Sequence, residues 1–116
     1  MRVLKDTAEG VAKVVQGQAT ILRKLEALQD RQDAIEKNRI ARLINSRAKR
    51  DNTVLEPFYG FNGQLVLGFP RTLGDTKRLN NLDLTVLLFA LGLPVSGSFA
   101  VRKARFFNHV GLVYLG

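Results

Sequence analysis

The chain has no cysteine and no tryptophan, one histidine and three prolines. Without cysteine it can form neither a disulfide nor a thiolate metal site. With His109 as its only imidazole, metal-ligand clusters have almost nothing to work with, and no cofactor is expected. Long apolar runs are missing too. The most apolar window, Leu84 to Val95, is interrupted by Thr85, Gly92 and Pro94 and falls short of the roughly 20 residues a bilayer needs. The opening Met1 to Asp6 is charged with no apolar run behind it, so no secretory signal peptide is expected. Together with the missing cysteines this points to an intracellular setting, cytoplasmic or nuclear.

One scarcity is local. Residues 37–50 contain no acid but six basic groups: Lys37, Arg39, Arg42, Arg47, Lys49 and Arg50. Residues 1–36 balance six basic groups against six acids, and residues 51–116 carry six against four. Most of the net charge of +8 therefore sits on about four helical turns. A helix C-terminus favours cations through its dipole, which accounts only for the last turn. The plain alternative is a solvated basic face. The functional reading is an anion-binding stripe of Arg39, Arg42, Arg47, Lys49 and Arg50, in which arginine suits the bidentate geometry of phosphate or carboxylate.

What is present in abundance is helical periodicity. Residues 7–50 read as one long helix, about 60 Å at about 1.5 Å per residue. With Val11 at a, residues 8–36 fit a heptad: Val11, Gln18, Leu25 and Gln32 at a, and Val14, Ile21, Leu28 and Ile35 at d. Val15 and Leu22 at e widen the stripe. This predicts self-assembly as a homo-oligomer through Val11, Val14, Ile21, Leu25, Leu28 and Ile35, with Gln18 and Gln32 setting register. The alternative is an amphipathic helix lying on its own globular domain. Beyond Ile35 the seam positions become Arg39 and Arg42. The apolar residues move to Ile40, Leu43 and Ile44. That shift predicts that these three pack on residues 54–116 of the same chain. The helix is expected to end near Asp51-Asn52.

Residues 51–70 read as an irregular connector with a turn at Asn62-Gly63 and a possible short strand at Leu65 to Leu67. Its aromatics, Phe58, Tyr59, Phe61 and Phe69, are expected to fasten it to a helical core. Residues 71–116 then read as a small three-helix domain. Thr72-Leu73-Gly74-Asp75 has capping-box spacing and starts a helix over 72–79. Asn80 or Asn81 caps a second over 82–91, stopped by Gly92 and Pro94. Ser98 caps a third over 99–109. Leu84, Leu87, Leu88 and Leu91 are expected to face Phe99, Phe106 and Val110, with Leu112, Val113 and Leu115 closing the base. The fold class is all-α.

Within this domain, Leu84-Thr85-Val86 opens a helix, Gly92-Leu93-Pro94-Val95-Ser96-Gly97 forms a loop, and Ser98 to Asn108 form a second helix. Residues 82–109 thereby resemble the SAP helix–extended loop–helix motif. The resemblance implies DNA binding through the second helix and marks Arg105, with Arg102 and Lys103 beside it, as a second basic patch. Phe99 stands where that family commonly has Lys, and Arg102 where it has a core Leu. The whole arrangement is similar to small fungal coiled-coil proteins of uncharacterised function that carry an Arg-Leu-x-Asn-Ser-Arg-Ala helix end, here Arg42 to Ala48.

Candidate chemistry is sparse. Asp75 and Asp83 stand alone near helix starts and read as caps. Ser96 and Ser98 have no base near them in sequence. Gly60-Phe61-Asn62-Gly63 lacks the strand-to-helix setting of a phosphate loop. His109, near a helix end, reads as structural. The chain is therefore expected not to be an enzyme. Two functions fit. The leading one is an oligomeric structural or adaptor protein whose C-terminal helices bind a partner such as an acidic protein. The other is a nucleic-acid-binding module using both basic patches. Attachment to an acidic membrane is not expected, because the basic helix lacks an aromatic apolar face.

Overall fold

A computed structural model describes the backbone of residues 2–114 and the side chains of residues 17–114. Four helices follow one another: α1 Arg2–Asn45, α2 Leu73–Lys77, α3 Asn81–Ala90 and α4 Phe99–Val110. The protein is all-α. Among the described residues, backbone pairing outside the helices amounts to two isolated antiparallel bridges, Val54 with Thr72 and Tyr59 with Leu65. The second closes the expected Asn62-Gly63 turn. The chain divides into two compact units, residues 1–30 and 31–116. The division falls inside α1, not near residue 50. Residues 31–45 belong to the C-terminal unit.

The N-terminal unit is helical throughout its described length. The side chains of Val11, Val14 and Val15 lie outside the described residues, as does Leu115. From Gly17 to Asp30 every residue is exposed, Ile21, Leu22, Leu25 and Leu28 among them.

In the C-terminal unit, the three short helices start where their caps are. Thr72 Oγ1 accepts from the Asp75 N–H, Asn80 Oδ1 from Asp83, and Ser98 Oγ from Val101. Each satisfies a donor that the first helical turn leaves orphaned. Hydrogen bonding from Thr72, then from Arg78, holds the Asp75 carboxyl below the usual carboxylate range. α3 and α4 pack on each other. Their core is Leu84, Leu87, Leu88 and Leu91 against Phe106, Phe107 and Val110, closed by Phe58, Leu73 and Leu112. Each such side chain contributes about 1.5–3 kcal/mol on burial. Phe107 takes the place expected for Phe99, which is largely exposed, and Val113 is exposed as well. The reason is position along the helix, not phase: Phe99 shares the face of Phe106 and Val110 but is the first residue of α4, beyond the end of the core, where Arg102 and Lys103 lie beside its ring.

The end of α1 departs most from expectation. The helix stops at Asn45, well before Asp51. Arg47 and Ala48 donate to carbonyls three residues back, Ile44 and Asn45, tightening the last turn before the chain leaves the helix. Nor do Ile40, Leu43 and Ile44 face the core. All three are exposed. The docked stripe is Ala34, Asn38, Ala41 and Asn45, at spacings of four, three and four. Small side chains let the helix approach closely. The two amides then bond the connector backbone directly. Asn38 accepts from Tyr59 N–H at 2.7 Å and donates to Tyr59 O at 2.9 Å. Asn45 accepts from Glu56 N–H at 2.7 Å and donates to Glu56 O and Val110 O at 3.1 Å each. Two asparagines one heptad apart thus hold an extended segment as a neighbouring strand would, which leaves no room for branched apolar side chains on that face.

Gly111 seals the same junction. Its φ of +91° suits glycine, and a Cβ there would lie 2.4 Å from the Arg42 carbonyl oxygen. α4 can end against α1 only because position 111 has no side chain.

Candidate interaction surfaces

The basic residues do not form one stripe. Arg39 is exposed and pairs with Glu36 at 3.4 Å on the same helix, an arrangement of small energetic weight. Arg42 turns inward: its Nε donates to His109 O at 2.7 Å, and its guanidinium lies 5.5 Å from the Phe58 ring centre. Arg42 thus commits its Nε to the end of α4. Arg47, Lys49 and Arg50 are exposed, but they follow the helix in irregular chain.

The second patch is also committed internally. Arg102, only 7% exposed, donates to Gly97 O, Thr85 Oγ1 and Asn81 Oδ1. It ties α4 to the start of α3 from the position where a leucine was the expected type. Each of its three nitrogens has a partner within the fold. Arg105 donates to Pro94 O and Ser96 O, at 2.7 and 2.8 Å, and so fixes the loop between α3 and α4. Lys103 is half-buried, donates to Lys77 O and lies 5.4 Å from the Phe99 ring centre. What the helix end and α4 still share is one groove of about 650 Å³, to which Lys49, Lys77 and Lys103 all contribute.

Apolar side chains are exposed on both α1 and α3. On α1, Ile21, Leu25, Leu28 and Ile35 of the heptad seam are each more than half exposed. On α3, Leu82, Val86 and Phe89 are 72, 54 and 68% exposed, and Phe61 meets Phe89 edge-on at 6.4 Å. Sequence reading missed this α3 face. Its signal was present: Leu82, Val86 and Phe89 lie at helical spacing opposite Leu84, Leu87 and Leu88, so a single inward face cannot bury both sets.

His109 has a structural setting. Its ring tilts against Phe58 at 5.6 Å. Burial, and secondarily the Arg42 charge, lowers its pKa from the ordinary value near 6.5. The folded protein then binds the proton less readily than the unfolded chain. The stabilisation is full above pH 6.5 and is lost as pH falls toward the lowered folded value. Stability measured by denaturant is expected to decline as pH falls below about 6.5. Asp51, held below the usual range by its hydrogen bond from Lys77, and Asp75 lose their contributions only at lower pH. His109→Gln should flatten the decline, and an unchanged slope would remove His109 as its cause.

Among the described residues, no group of three or more His, Asp or Glu is placed to hold a metal ion, and no buried side-chain polar atom lacks a partner. No helix among them is long and apolar enough to cross a membrane.

A family model described as "Protein of unknown function (DUF3294)" matches residues 12–90. The chain belongs to this family. The DUF3294 match takes in most of α1, the connector, α2 and all of α3. Both connector-binding asparagines and the exposed α3 face thus lie within it. No curated protein and no solved structure matches the chain.

Proposed function

We propose that this DUF3294 protein is a non-enzymatic structural or adaptor protein. It self-assembles through the heptad segment, residues 8–36, and holds a partner protein with its C-terminal helices. The observation that carries the second half is the outer face of α3. Leu84, Leu87 and Leu88 satisfy the core, yet Leu82, Val86 and Phe89 on the other side remain exposed. With Phe61 they form a contiguous apolar surface, of the kind that marks a protein contact. The α3–loop–α4 unit is SAP-like in its order of elements. Its departures favour protein over duplex DNA, because Arg102 holds the two helices together and Arg105 holds the loop.

The test is photo-crosslinking from an unnatural amino acid at Phe89 of the full chain in its native cells. A heteropolypeptide adduct, absent when the probe is at exposed Gln64, is expected. Val86→Glu made in the same chain should reduce that adduct at least tenfold. Adducts to further copies of the chain alone, or no adduct, would overturn the partner-binding half of the reading.

A further inference from the structure

We propose that the groove lined by Lys49, Lys77 and Lys103 binds a nucleotide, with its phosphate among the three ammonium groups and its base on Tyr114. The site is independent of the adaptor reading and of the α3 face. Three segments far apart in sequence build it: the chain just after α1, α2, and α4 with the residues beyond it. Its volume, about 650 Å³, lies in the range that takes small organic ligands.

Among the described residues, no acid lines the groove. Asp51, which is outside the lining, binds Lys77 at 2.7 Å. Lys103 Nζ donates to the Lys77 main-chain carbonyl, so the Lys103 ammonium is held at the end of α2. Lys49 forms no ion pair with any described residue, so its charge is available. Lysine serves phosphate as a point charge and needs no fork geometry. The floor between the cations is apolar and aromatic: Leu73, Phe107 and Tyr114. Phe107 is buried, and Tyr114 packs against it at 5.1 Å while remaining half-exposed to the groove. A supported ring beside clustered cations suits a ligand that is planar at one end and anionic at the other. Stacking on such a ring tolerates any base. An acidic peptide would satisfy the lysines but leave the ring unused.

A free nucleotide and an unpaired nucleotide of a single strand present the same chemistry. The experiment measures binding of AMP and of a fluorescein-labelled oligoadenylate of eight nucleotides to the full chain, by calorimetry and anisotropy across a salt series. Saturable binding of either supports the site. Comparable affinities indicate a mononucleotide ligand, and a much tighter oligomer indicates single-stranded nucleic acid. Lys49→Glu, at an exposed position that should not disturb folding, is expected to weaken binding about tenfold and to lower the salt slope by about one. Tyr114→Ala should weaken it at least tenfold, and Tyr114→Phe should preserve it. The proposal is overturned if neither ligand binds at low salt, or if Lys49→Glu has no effect. It is also overturned if Tyr114→Ala binds as wild type while folded, or if a duplex or an octaglutamate competes as well as the oligoadenylate.

Discussion

A chain carrying Leu25→Asp and Leu28→Asp is expected to sediment as a monomer at concentrations where the wild-type chain is oligomeric. Leu25 and Leu28 occupy consecutive a and d positions at the centre of the heptad seam, and both are exposed in the single chain. Burying a leucine contributes about 1.5–3 kcal/mol. A two-stranded assembly would lose four such side chains and would have to seat four carboxylates in their place. At the low end of that range the loss is about 6 kcal/mol, a weakening of about 10⁴-fold in the dissociation constant. The mass change should therefore be complete at micromolar protein.

The same variant should leave the C-terminal unit intact. Neither leucine belongs to the buried core, which draws on α1 only from Ala34 onward. Near-ultraviolet circular dichroism from Tyr59 and Tyr114, and the pH dependence assigned to His109, should match wild type. A double mutant with unchanged mass would show that the α1 seam is not what assembles the protein. A wild-type chain that is monomeric at all concentrations would favour the other reading of the stripe, an amphipathic helix serving its own chain.

Legibility in the sequence followed how local the cause was. The starts of α2, α3 and α4 were readable because each cap is a four-residue device: Thr72 with Asp75, Asn80 with Asp83, Ser98 with Val101. The stop at Gly92 and the leucine face of α3 were readable for the same reason. The end of α1 was not, because its cause is 65 residues away. Asn45 donates to Val110 O and Gly111 seats against Arg42, contacts that no local window contains. Hydropathy also pointed to the wrong docking face. Ile40, Leu43 and Ile44 outrank Ala34, Asn38, Ala41 and Asn45 on any apolar scale, but a backbone segment needs close approach and hydrogen bonds, which alanine and asparagine supply. The basic residues failed in a related way. Charge counting treats every arginine as wholly available, whereas Arg102 directs all three nitrogens to partners within the fold and Arg42 and Arg105 commit one each. A stripe of alanine and asparagine at spacings of four, three and four is visible in the sequence, and it is the signal that could have corrected the helix end.

The sharpest consequence of that stripe is that Asn45→Ala should destabilise the C-terminal unit more than any truncation of the apolar residues beside it. Asn45 is 1% exposed, and its amide makes three bonds to backbone groups: Glu56 N–H, Glu56 O and Val110 O. Truncation removes one partner from each. A buried polar group left unsatisfied costs about 1–3 kcal/mol, and these neighbouring losses do not simply add. The expected loss is about 3–5 kcal/mol, out of a total that for a domain this size is about 5–15 kcal/mol. At about 4–8 °C per kcal/mol, the melting temperature should fall by about 12 °C or more. Asn45→Asp offers no rescue. It keeps an acceptor for Glu56 N–H but turns a carboxylate toward two carbonyl oxygens. Asn38→Ala, at a half-buried position with two bonds to Tyr59, should lose about 1–2 kcal/mol. Ile40→Ala and Ile44→Ala, both exposed, should stay within about 0.5 kcal/mol. Guanidinium unfolding of the four alanine variants measures this order directly. If Ile40→Ala or Ile44→Ala proves costlier than Asn45→Ala, the helix docks by its apolar face after all, and the asparagine stripe is not what holds the connector.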